Sequence, residues 1–371
     1  MGSLTAGQGI IPGLGRCPPW EKAWVVGFET DALKECFDFL DSRDFHKTGR
    51  LPLVASRQWK PSWEAEAFRR FRKGLPNLQE VAWPSFYLGA VSSRERELFR
   101  AVTLGNPPGG WQAPQRLAPL FQGRGKPRWT VVSRFGRYVL RSHPAEVGES
   151  FVYFGDDTLY LMERSRQLLS LLQAETEAPI RCLDLCCGGG GVSLSLPEFA
   201  GEVVGVDLNG VAVELAQRAA RAQGLLNYDY RCCDAAKGLQ ERFDLIFGNP
   251  PTLSPTLTGQ DVFHATGTWD AFEPILDQVC SALSPEGRAV MTLFSEVVGE
   301  EDPAWEALRH FLKGRRGFSY RVRREFPLGG SRRLRHCALE LFPTGEERQD
   351  FIPMASSSFT LPGLSWRRRI G

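Results

Sequence analysis

The sequence predicts an α/β protein built on a mostly parallel sheet, and three observations lead there. First, short and nearly continuous apolar runs recur, at Ile180 to Leu185 (IRCLDL), Glu202 to Val206 (EVVGV) and Phe243 to Phe247 (FDLIF). Strands covered on both faces read this way. Second, amphipathic helical spacing separates them, as in Val211 to Gln223, which Gly224 stops. Third, each run ends on residues that can do chemistry. These are Cys186-Cys187-Gly188-Gly189-Gly190-Gly191, Asp207, and Gly248-Asn249-Pro250-Pro251. Ligands collect beyond the carboxyl ends of strands in such sheets, so a site is expected along this edge.

Each element has a physical reason. Glycines after the first strand let backbone approach a ligand and start a helix close to the sheet. An acid at the tip of the second strand, Asp207, can accept from two ribose hydroxyls. Tyr228 to Cys232 with Asp234 forms the next strand and its tip. After the fourth strand, two prolines fix two φ angles and remove two N–H groups. The Asn249 amide oxygen and a proline carbonyl can then face one cavity, and this pair of acceptors suits a planar NH2 group with two hydrogens.

Glycine loop, ribose acid, third-strand acid and Asn-Pro-Pro occur in order, each after a strand. The series resembles the class I S-adenosylmethionine (SAM) dependent methyltransferases, in particular the small-methyltransferase group with an Asn-Pro-Pro motif. That group includes release-factor glutamine and ribosomal guanine-N2 methyltransferases. The resemblance spans roughly residues 151–345. It implies a Rossmann-like seven-stranded sheet with helices on both faces and SAM as cofactor. By position it implies that Asp184, Cys186, Gly188 and Gly190 line the methionine part of SAM. Asp207 and Leu208 would lie at the ribose, and Asp234 with Ala235 at the adenine. Asn249 would border the cofactor as well, and with Pro250 it would orient the acceptor nitrogen as the catalytic pair. Pro251, Thr252 and His264 are the substrate-side candidates. Two departures stand out: Cys186 replaces the usual first glycine, and Thr252 replaces the usual aromatic residue. Without that aromatic a stacked base has a weaker seat, although Phe263 or Trp269 could supply one.

A nicotinamide-dependent dehydrogenase would share the loop and the ribose acid. Its G-x-G-x-x-G fingerprint does not close here, because the third glycine position falls on Ser193 or Leu194. Among acceptors, a protein glutamine or a small molecule methylated on nitrogen or oxygen is expected first. An RNA or DNA amino group (guanine N2 or adenine N6) ranks below them, and a SAM-binding module without turnover is opposed by the intact Asn-Pro-Pro. His264 and Asp261 are candidate proton acceptors on the following loop.

Composition bounds the rest. The 371 residues suffice for two domains. A net charge of +2 falls short of a dedicated nucleic-acid module, although basic clusters such as Arg69-Arg70-Phe71-Arg72-Lys73 and Arg367-Arg368-Arg369 occur. No apolar run approaches the ~20 residues of a membrane span. Nine cysteines, an odd number with no C-x-x-C pair, lead us to expect no metal site and a reducing, cytoplasmic setting.

The expected layout is a flexible leader (1–20), a smaller substrate-recognition or lid domain (21–150), the methyltransferase domain (151–345) and an irregular tail (346–371). In the second segment, helical spacing at Asp31–Leu40, Trp63–Leu75 and Ser92–Thr103 precedes a hairpin turning at Phe135-Gly136. This order predicts an α+β, winged-helix-like module. Asp157, Thr158 and Tyr160 open a helix before the glycine loop, the first two as caps or as site residues. Asp207 has a second reading as the cap of the helix at Gly210.

Overall fold

The structure is a computed structural model that describes residues 30–42, 129–142, 152–154, 156–235, 237, 239–251, 269–296, 303–313, 318–323, 334–343 and 349–352. The expected helices at Trp63–Leu75 and Ser92–Thr103 and the residues Thr252, Asp261, Phe263 and His264 lie outside these. So does the side chain of Trp269.

The described elements, in chain order, begin with α1 (Thr30–Ser42), the hairpin β1 (Trp129–Arg134) and β2 (Arg137–Ser142), and α2 (Asp156–Glu175). Then come β3 (Cys182–Leu185), α3 (Gly191–Leu194), β4 (Val203–Asp207), α4 (Gly210–Ala222), β5 (Tyr228–Cys232) and β6 (Phe243–Gly248). The chain continues through α5 (Trp269–Ala282), β7 (Leu283–Glu296), α6 (Pro303–Lys313), β8 (Phe318–Arg323), β9 (Leu334–Pro343) and β10 (Gln349–Ile352).

Eight strands form one sheet in the order β10-β8-β9-β7-β6-β3-β4-β5. From β5 to β7 all neighbours are parallel, while β9 is antiparallel to both β7 and β8. The seven expected strands are therefore present. Beyond them, β10 pairs in parallel with β8, so the stretch expected to be irregular begins with an added edge strand. The chain winds outward from β3 to β5 and then crosses back to β6 on the other side of β3. That reversal opens a crevice at the carboxyl ends of β3 and β6, where such sheets bind ligands.

Strand pleating divides the core. Cys182, Val203, Leu245, Phe247 and Val290 point into one buried cluster. Their neighbours Leu183, Val204, Ile246, Ala289 and Met291 point into another, with Phe272 and Leu276 of α5 and Leu308 of α6. Alternation of period two, applied to strands apolar at almost every position, produces this two-sided burial. Helix α4 lies on the first face, its buried side largely alanine (Ala212, Ala216, Ala219, Ala220), which permits close approach to the sheet.

The hairpin forms as expected. Phe135 and Gly136 both have positive φ, at 50° and 74°, as a two-residue type I′ turn requires. The Arg166 guanidinium sits 4.5 Å from the Phe135 ring centroid. Trp129, Val131, Val132, Val139 and Leu140 belong to the same buried cluster as α4, as do Leu33 and Phe37 of α1. Gln223, just past α4, clasps β2 by accepting from Tyr138 N at 2.8 Å and donating to Tyr138 O at 2.9 Å. The hairpin thus packs directly beside the glycine loop. Among the described residues, no helix is long and apolar enough to cross a membrane.

Candidate functional site

The glycine loop is held from below by a buried polar network. The Asp184 carboxylate accepts from Ser193 N at 3.1 Å and from Ser193 Oγ at 2.6 Å, and Ser193 Oγ lies 2.9 Å from Tyr230 Oη. Asp184 is 2% exposed. Burial pushes its carboxyl up to about 7 against the lowering effect of the Ser193 bonds, with the nearby Asp207 charge adding to the rise. Its side chain therefore anchors the start of α3 under the loop. Gly190 completes this arrangement: its φ is +74°, and an added Cβ would come within 2.8 Å of Tyr230 Oη. Gly189 faces the hairpin, where a Cβ would meet the Leu140 carbonyl at 2.4 Å. Cys186, at the usual first-glycine position, adopts φ +54° and bears the left-handed strain a glycine would avoid.

At the tip of β4, one Asp207 oxygen accepts from Gly188 N and the other from Asn209 N, both at 2.8 Å. These bonds fix the carboxylate's orientation where a ribose diol would be held. The second reading of Asp207 as a helix cap is overturned. Asn209 caps α4, its Oδ1 accepting from Val211 N and Ala212 N, because it is the residue directly before the first helical turn. Leu208 is half-buried beside it, and Ala235 is buried with φ +49°. Asp234 lies exposed at the tip of β5, 4.0 Å from Lys237 Nζ.

Asn249 follows β6 at the sheet's carboxyl edge, half-buried, with Pro250 buried and Pro251 partly so. Its amide is held on both ends. Nδ2 donates to Asp157 Oδ2 at 2.9 Å, and Oδ1 accepts from Thr292 Oγ1 at 2.5 Å. Asp157 lies in the first turn of α2, and its other oxygen accepts from Thr158 N at 2.7 Å. It therefore works both as a local helix-start acceptor and as a contact of Asn249. Tyr160 is buried within α2. Sequence reasoning did not single out Thr292, Ser193 or Tyr230. A signal existed for Thr292, a lone hydroxyl in the apolar strand Ala-Val-Met-Thr-Leu-Phe, since a buried hydroxyl requires a partner.

The edge thus presents an oriented acid at β4, a glycine loop with left-handed turns at β3, and a clamped carboxamide at β6. These residues fit the demands of SAM: Asp207, whose two oxygens are oriented at the strand tip, can accept from a ribose diol, and the glycines of the loop carry no side chain to block a ligand's approach. Among the described residues, no three His, Cys, Asp or Glu side chains are grouped to hold a metal ion. The Cys186 and Cys187 thiols are held well above their ordinary range, first by burial and then by the Asp207 and Asp184 charges.

A family model, curated relatives and solved structures resemble parts of the chain. Residues 177–315 match a family model described as a methyltransferase domain. The 23S rRNA (uracil(747)-C(5))-methyltransferase RlmC of Vibrio cholerae is 34% identical over 88 residues, 22% of this chain and 24% of that protein. The 23S rRNA (uracil(1939)-C(5))-methyltransferase RlmD of Marinomonas posidonica is 33% identical over 100 residues, 27% of this chain and 23% of that protein. The chain spans about a quarter of the length of these curated relatives. Among solved structures, Methanocaldococcus jannaschii TYW2 in complex with AdoMet aligns with TM-score 0.42 and 13% identity, over 60% of this chain and 90% of that one.

Proposed function

We propose that this chain, which carries a SAM-dependent methyltransferase domain of the class I superfamily, methylates an amino nitrogen of an RNA base. The observation that carries this reading is Asn249-Pro250 at the end of β6, one strand away from the glycine loop of β3. Two acceptors on a rigid, N–H-free turn suit a planar amino group.

SAM supplies a methyl group on a sulfonium, open to direct displacement. The Asn249 oxygen and the Pro250 carbonyl hold the acceptor's two N–H hydrogens and aim its lone pair. Bound SAM would supply the methyl group, its sulfonium leaving as a neutral thioether, and the methylated nitrogen would release one proton to solvent. Positive charge on that nitrogen strengthens both acceptor contacts in the transition state, which is where binding accelerates a reaction. Rate then comes from holding donor and acceptor in line.

The choice of RNA is supported by the curated relatives, which are named for methylating 23S rRNA. This reverses the expected order, which placed a protein glutamine or a small molecule first. Those relatives are named for carbon C5 of uracil, a position with no N–H for Asn249 to accept. Addition of a thiolate to the ring would need a thiol that ionises readily, and burial with the Asp207 and Asp184 charges raises the Cys186 and Cys187 thiols instead.

The test is transfer from methyl-tritiated SAM to unmodified rRNA and tRNA transcripts, followed by nucleoside mass spectrometry. Label on a base nitrogen is expected. Label found only in protein or in small-molecule extracts would overturn the RNA reading.

A further inference from the structure

We infer that Asp157 and Thr292 are positioning residues that set which end of the Asn249 amide serves the acceptor, and so limit the site to groups that donate N–H. This deepens the proposed function and rests on its methyl-transfer reading.

The contacts determine the orientation. The end of Asn249 facing Asp157 Oδ2 at 2.9 Å is its NH2 end, which donates to the carboxyl oxygen. Oδ1 then faces Thr292, whose hydroxyl donates to it at 2.5 Å. A flipped amide would set two oxygens against each other at Asp157. Both partners are buried: Asp157 is 3% exposed and Thr292 is 0% exposed. Asp157 is fixed in turn by Thr158 N at 2.7 Å. A carbonyl oxygen has two lone pairs, so Thr292 leaves one for an incoming N–H. A ring nitrogen that must offer its lone pair with no N–H, or a carbon such as C5 of uracil, gains nothing from that oxygen. A ring imino group such as guanine N1 has a single N–H and loses it on methylation, so the class that offers a second N–H to the Pro250 carbonyl is an exocyclic amine, as on guanine N2, adenine N6 or cytosine N4. Sequence distance makes the arrangement specific to the fold, since the partners lie 92 and 43 residues from Asn249.

The test exchanges donor and acceptor between the two positions. Asp157→Asn sets two amides face to face and frees the flip. Asn249→Asp sets two carboxylates face to face, which then share one proton. The double variant Asp157→Asn/Asn249→Asp restores one donor and one acceptor between the two positions, with the acceptor-only group moved to the substrate side. With unmodified rRNA and tRNA transcripts, each single variant is expected to lose at least about tenfold in kcat with SAM affinity within about threefold of wild type. The double variant is expected to return to within about threefold of wild type, a strongly non-additive result. Losses that simply multiply in the double variant would overturn the assignment. So would a wild-type product methylated on a carbon or on a ring nitrogen.

A second measurement needs neither turnover nor a folded variant at Asp157. In wild-type protein, the Asn249 side-chain NH2, assigned by its absence in Asn249→Asp, is expected to exchange with water far more slowly than an exposed amide. Exchange at the exposed rate would overturn the clamp. If wild type transfers no methyl to RNA while this amide is protected, the RNA reading fails and the clamp stands.

Discussion

The two halves of the crevice are built in different ways. On the β3–β4 side, most contacts join near neighbours: Asp184 to Ser193 nine residues on, Gly188 to Asp207 nineteen on, Asp207 to Asn209 two on, with Ser193 to Tyr230 of β5 a longer reach. On the β6 side, Asn249 is held by a helix start and a strand that lie far away in the chain. A strand–loop–helix unit can organise the first half from its own sequence. The second half exists only once α2, β6 and β7 have been assembled. The two halves should therefore fail separately.

The largest expected effect is on turnover. Asn249→Ala removes an acceptor that gains strength in the transition state, so kcat should fall at least about 100-fold. SAM affinity, read by calorimetry, should change less than about threefold; equal losses in both would erase the separation between the halves.

Asp207→Ala should do the reverse. Charge-assisted hydrogen bonds are worth ~1.5–3 kcal/mol each, so SAM binding should weaken at least tenfold. The fold should survive, because Asn209 caps α4 independently. Unchanged SAM affinity in a folded variant would remove Asp207 from the cofactor side.

Smaller, and read here in stability, is Gly190→Ala. It combines a positive φ of +74° with a Cβ 2.8 Å from Tyr230 Oη, and should cost about 1–3 kcal/mol in chemical denaturation. A neutral result would mean that the Ser193–Tyr230 network yields easily.

The last effect is a slope with pH, which leaves turnover aside. Unfolded, Asp184 titrates near the ordinary 3.8; folded, burial raises it to about 7. Between those values the folded state keeps a proton that the unfolded state releases. Its contribution to stability is thus complete below about pH 4 and is lost as pH rises through about 7, by up to about 1.4 kcal/mol per pH unit. Asp184→Asn should flatten that decline in melting experiments between pH 4 and 7. An identical slope in the variant would place the proton elsewhere.

The sequence by itself determined the sheet's parallel centre, because strands covered on both faces must be apolar throughout. It also determined the places where chemistry collects, because glycine, acid and proline interrupt those strands at one edge. The Phe135-Gly136 turn was legible too, since a two-residue hairpin needs positive φ at both positions. Tertiary structure decided what lone residues do. Asp207 and Asn209 are both good caps by type, and only the approach of the Gly188 N–H to Asp207 separates their roles. The extra edge strand at Gln349–Ile352 depends on an open β8 edge that no local pattern announces. The same holds for Asp157 and Thr292: each is unremarkable in its own segment, and their meeting at Asn249 is a property of how helix α2 and strand β7 pack around β6.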